Sequence, residues 1–187
     1  MVTNKFGFDV VKQKITAMKE ELPKILANQA QTFFVKSWSN QAWEGEPWKQ
    51  VKRREEGTPE YKYPAKKGLG RRTRAILVST GRLRRAVATS IRQQEFSRIR
   101  LVVDLPYAEI HNDGGTINKS ARSGIVHFNK KGKFANAKHD KNYSHSGNVE
   151  IGAHDINMPK RTFMKHSATL GAMQQQKIKE FTDKVWK

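Results

Sequence analysis

Few side chains in this chain are spaced for chemistry. Six histidines are scattered. His139, Asp140 and His145 could share a metal, but zinc needs three or four fixed ligands and these sit in a polar, glycine-punctuated run. His111 and Asp113 flank Asn112, where a hydrogen-bonded capping pair is the simpler reading than general acid–base work, which needs a pocket and a perturbed pKa. No cysteine is present, which excludes disulfides, thiolate metal sites and cysteine nucleophiles. No G-x-x-x-x-G-K-[ST] run occurs, and GLGRRTRA lacks the strand–turn–helix context of a nucleotide fold. The expectation is a protein with no catalytic residues, no metal and no cofactor.

Charge is the stronger signal. The chain carries 36 Lys and Arg against 17 Asp and Glu, a formal net charge of +19. That exceeds what solubility requires and opposes compaction, so a polyanion or an acidic partner is expected nearby. Basic residues concentrate in Lys49–Arg85, broken by Gly57, Pro59, Pro64, Gly68 and Gly70, which reads as a long basic loop over 49–75. Arg71, Arg72, Arg74, Arg82, Arg84 and Arg85 are the candidate DNA or partner contacts. The competing reading is a solvated face with weak ion pairs, worth ~0–1 kcal/mol each.

The elements around these arginines follow from pattern. Thr80 is placed to N-cap a short helix in which Leu83 and Val87 share a face. Ala88 to Gln93 turns β-like, Gln94 to Ser97 is a turn, and Ile99, Leu101, Val103 and Leu105 alternate as in a half-buried strand. Pro106 ends that strand and begins a second short helix carrying Tyr107, Ile110 and His111, closed by Gly114 and Gly115. Before this block, Phe8, Val11, Ile15, Met18, Leu22 and Ile25 make an amphipathic helical stripe over 6–38, with Pro23 expected to kink or restart it. The stripe packs either within the chain or on a neighbouring subunit. Trp38, Trp43 and Trp48 suit packing better than nucleobase stacking, since tryptophan buries so much area. After the block, short strands around Ile117, Ile125 and Val149 flank a flexible insertion at 129–148. A C-terminal helix over 160–187 carries Phe163, Leu170, Ile178 and Phe181 on one face.

The expected fold is therefore α+β: one domain over 1–187, with a small antiparallel sheet between about Ala88 and Ile151 packed by long N- and C-terminal helices and fringed by basic loops. No apolar run approaches the ~18 residues of a membrane span. The first residues lack the apolar core of a signal peptide.

Four stretches carry a resemblance. They are Trp48 before the basic linker, the run Ile76-Leu77-Val78-Ser79-Thr80-Gly81 leading into L-R-R, the segment Pro106-Tyr107-Ala108 through Ile110-His111 to Asp113-Gly114-Gly115, and Pro159-Lys160-Arg161-Thr162-Phe163. In this order, from about Phe33 to the C-terminus, they resemble the phage virion morphogenesis family, the Mu-like tail-completion proteins. The resemblance implies a non-enzymatic structural subunit that completes a tail or joins it to a head. It also implies a homo-oligomeric ring, six-fold to match a tail tube, and neighbouring tail or connector proteins. The place of action would be the virion, assembled in the host cytoplasm. The alternative is a free, basic nucleic-acid-binding protein, although no recognition helix, zinc finger or RNA-binding sheet motif is present.

Overall fold

The structure is a computed structural model that describes residues 7–62, 73–135 and 145–187. It is α+β, with long helices near both ends of the chain and small antiparallel sheets between them. The described residues form two compact units, one of 7–114 with 159–187, the other Gly115–Met158.

The larger unit is organised on α1 (Phe8–Asn40). Pro23 neither stops nor restarts it. Proline removes one helical hydrogen bond, but Leu22, Pro23 and Ala27 are all buried, so tertiary packing holds the helix through that point. Gln41 caps the far end with φ 51, and its N–H bonds the Ser37 carbonyl. A tight hairpin follows, β1 (Ala42–Trp43) against β2 (Glu46–Pro47). Its two turn residues, Glu44 and Gly45, have φ 49 and 91, the positive values that a two-residue hairpin turn demands. A single 3-10 turn (Lys52–Arg54) and the short α2 (Pro59–Lys62) come next.

The block at 82–114 has the expected elements. α3 (Arg82–Ala88) buries Leu83 and Val87. Its N-cap is Gly81 at φ 75, not Thr80, whose Oγ1 lies 3.4 Å from the Arg82 nitrogen. The strands β3 (Ile91–Glu95) and β4 (Arg98–Leu101) pair antiparallel, with a register shift between Ile91 and Gln93. β4 is shorter than the alternation to Leu105 suggested. Val103 and Leu105 still pack against the core, but from outside the ladder. α4 (Ala108–Asp113) ends at Gly114, φ 76.

The core gathers Ala30, Phe34 and Trp38 of α1 with Trp48, Ile76, Leu83, Val87, Ala108, Phe163 and Leu170. Trp38 lies 5.0 Å from Phe163 and 5.7 Å from Trp48, ring centre to ring centre. Trp43 stacks on Phe34 at 6.1 Å. All three tryptophans before the basic loop therefore serve packing. The last helix, α5 (Ala168–Trp186), starts later than the pattern suggested, because Ser167 caps it by accepting from the Leu170 N–H at 2.9 Å. It runs antiparallel to α1: Met173 and Gln174 meet Gln29 and Leu26, while Trp186 lies under the Lys14 ammonium. Along the apolar stripe of α1, Phe8, Val11 and Ile15 remain exposed, Met18 is half-buried and Leu22 is buried.

The smaller unit departs from the expected single sheet. β5 (Gly115–Lys119) pairs antiparallel with β9 (His154–Met158). β6 (Arg122–Phe128) is the centre of a three-stranded sheet, between β7 (Phe134–Ala135) and β8 (His145–Ile151). With the two hairpins of the larger unit, the described strands make four small sheets in place of one. The reason lies in composition. Among the described side chains of Gly115–Met158, no hydrophobic one is buried, so nothing draws these ribbons into a common layer.

Candidate functional site

The resemblance-bearing stretches meet in one place in the larger unit. Asn112, at the end of α4, is the latch. Its Oδ1 accepts the backbone N–H of Phe163 at 2.9 Å and of Met164 at 3.0 Å. The His111 carbonyl accepts the Arg161 N–H at 3.0 Å. The Trp48 Nε1–H donates to the Thr162 carbonyl at 2.7 Å. Arg161 is buried, 6% exposed, and its guanidinium donates from Nε to the Lys49 carbonyl and from Nη2 to that of Gln50. Gln41 completes the frame, since its Oε1 accepts the Ile76 N–H.

Beside this latch lies a cleft of about 360 Å³. Its floor and walls include Val51, Ile76, Leu77 and Leu83, and four arginines are among the residues that line it, Arg53, Arg74, Arg82 and Arg161. Tyr107, His111, Ser79 and Thr80 add polar groups, and no described lining residue is acidic. The two ion pairs found among the described residues, Arg92–Asp104 and Lys177–Glu180, both lie elsewhere. Arg53 braces the wall by donating to the carbonyls of Arg74 and Ala75.

The wall is bent. The turn from Ala75 to Val78 closes with a Val78 N–H to Ala75 carbonyl bond, and Leu77 within it has φ 56. A branched residue in the left-handed region costs of order 1–3 kcal/mol. Sites that hold ligands are where such strain is found.

Two groups in the cleft are displaced from their ordinary proton affinities. Burial, helped by the Arg161 charge, holds the His111 imidazole below its usual pKa, so the neutral ring is favoured. Its Nδ1 is buried and has no hydrogen-bond partner among the described residues. The expected His111–Asp113 capping pair is thus not made. Asp113 instead accepts from the Asn112 side-chain amide at 3.1 Å. Burial also lowers the Arg161 pKa, which leaves it a cation, because guanidinium does not deprotonate in proteins.

No family model matches the chain, and no curated protein or solved structure matches it either.

Of the arginines singled out from sequence, Arg74 and Arg82 line the cleft. Arg84 and Arg85 are exposed on α3 and do not line it. Arg71 and Arg72 lie outside the described residues, as do His139 and Asp140 of the candidate metal group. No group of three or more metal-ligating side chains occurs among the described residues. No described helix is long and apolar enough to cross a membrane. Arg53 and Arg161 were not singled out as site residues. Arg161 stands between Lys160 and Thr162, so nothing in its sequence neighbours marks it as the cation that is buried.

Proposed function

We propose that the chain is a non-enzymatic structural subunit of a phage virion, acting in tail completion or head–tail joining as part of a ring around the DNA channel. The observation that carries this reading is the convergence at Asn112. The four stretches that resemble the virion morphogenesis family are distant in sequence, yet three of them are tied by the Trp48–Thr162, His111–Arg161 and Asn112–Phe163 hydrogen bonds. The fourth supplies Ile76 and Leu83 to the same core. A family signature that is also one packed substructure is less readily explained as chance matches.

The surfaces are consistent with a building block. Phe8, Val11 and Ile15 on α1 and Ile178 and Trp186 on α5 are exposed apolar side chains on the paired helices. A ring buries such faces between subunits in head-to-tail contacts. The test is genetic. Particles assembled without the chain should have unjoined heads or defective tails, and charge reversal at Arg82 and Arg85 should lower assembly yield without unfolding the subunit. Complete, infectious particles lacking it would end this reading.

The net charge of +19 favours a second reading, a free nucleic-acid-binding protein. Neutralising Z phosphates would give log K against log salt a slope of about −0.9Z on duplex DNA. Tight binding of free duplex near physiological salt, in a gel shift at several salt concentrations, would favour it. Weak, salt-labile binding favours the assembly subunit.

A further inference from the structure

We propose that the arginine-lined cleft between the Ala75–Val78 turn, α3 and the Asn112 latch is a receptor for an acidic peptide segment of a neighbouring assembly protein, one carrying two carboxylate side chains beside an apolar residue. The proposal rests on the assembly-subunit reading and names the kind of partner that reading requires.

The charge argument comes first. Arg161 is 6% exposed, and a buried cation is costly unless it is paired. It donates to the Lys49 and Gln50 carbonyls, and neither ion pair found among the described residues involves it. Arg74 and Arg82 line the same cleft from exposed positions. Guanidinium forks are the side chains that best match carboxylates, two parallel N–H donors to two oxygens. Arg74, Arg82 and Arg161 line a cleft with no described carboxylate, and neither described ion pair involves them.

Shape and polarity then choose among anions. A lone inorganic ion would leave Val51, Ile76, Leu77 and Leu83 wet in a cleft of about 360 Å³. Pockets of this size usually combine an apolar lining with a few fixed polar groups, and their ligands do the same. Duplex DNA offers phosphates on a convex rod with no apolar group to fill the floor. A peptide with acidic side chains flanking an apolar one satisfies both the forks and the walls. Leu77, with φ 56, is one of the apolar residues that line the cleft.

The test is a titration of the full chain by amide NMR at about 0.15 M salt, where distant charge attraction is largely screened. The probe is the acetylated, amidated peptide Ala-Glu-Leu-Glu-Ala, compared with Ala-Gln-Leu-Gln-Ala and with a short DNA duplex. The acidic peptide should move the amides of 79–83, Tyr107 and His111, and bind at least tenfold more tightly than its amide counterpart. Arg74→Gln with Arg82→Gln should weaken it at least tenfold. Arg84→Gln, the same charge change outside the cleft, should change it less than twofold. The proposal is overturned if the amide peptide binds equally well, if the shifts map elsewhere, if Arg84→Gln costs as much, or if the duplex claims those resonances. Such a failure would leave the assembly reading standing. Complete particles without the chain would sink that reading and leave the cleft's measured affinity as it was.

Discussion

Asn112→Ala tests the latch directly. The side chain carries two backbone donors, Phe163 N–H at 2.9 Å and Met164 N–H at 3.0 Å. Each ordinary hydrogen bond contributes about 1 kcal/mol net, and a buried donor left unpaired costs about 1–3 kcal/mol. Phe163 is 2% exposed, so water cannot readily replace the lost acceptor there. The expected loss is about 2–4 kcal/mol, or about 5–15 °C in Tm for a chain of this length. Urea unfolding followed by tryptophan fluorescence is a suitable assay, because Trp38 and Trp48 sit beside this junction. Asn112→Asp keeps an oxygen acceptor in place but turns the donation to Asp113 into a contact between two carboxylates, so with both variants compared at low pH, where that repulsion is reduced, it should cost less than half as much. A loss below about 1 kcal/mol for alanine, or equal losses for the two variants, would refute the account of Asn112 as the tie between α4 and the Pro159–Phe163 segment.

Trp48→Phe removes the 2.7 Å bond to the Thr162 carbonyl in a buried setting and should lower stability by about 1–3 kcal/mol, read as a shift in denaturant midpoint with m unchanged. Gly114→Ala should lose at least about 2 kcal/mol, because its φ is 76 and an added Cβ would lie 2.8 Å from the Lys160 backbone nitrogen; in contrast, at Gly81 (φ 75) the nearest atom is the movable end of Arg85 at 3.1 Å, and a thermal scan should show only about 1 kcal/mol. Acidification should destabilise the wild type more than His111→Gln. The folded-state pKa of His111 is lowered, so its contribution is full above the ordinary value of about 6.5 and is lost as the pH falls below it. Urea midpoints at about pH 7.5 and 5.5 for both proteins check the sign.

Much of the larger unit was legible because local signals and tertiary need agree there. Leu83 and Val87 share a helix face and are both buried. Gly114 stands where α4 must end. Pro23 does not start a second helix, because its penalty is local and the burial of Leu22 and Ala27 beside it holds the helix through that point. The cleft was half legible. Arg53, Arg74 and Arg82 belong to an obvious run of cations, whereas Arg161 lies far along the chain and joins them only after folding. His111 was legible as a residue of interest but not in its state. Its buried, unbonded Nδ1 depends on Arg161 and the walls around it, which no neighbour in sequence announces.

The strands of Gly115–Met158 contain no buried apolar side chain among those described, so ladder hydrogen bonds carry most of their order. Such a ribbon opens on its own schedule. Its amides should exchange with solvent through local fraying, at rates indifferent to a cavity such as Phe163→Ala that shifts the melting of the aromatic core. Substitutions can therefore accumulate along β5 to β9, or the excursion can change length, without any retuning of the tryptophan cluster. The chain thus has one part whose sequence is constrained by packing and another whose sequence is free to follow whatever it touches.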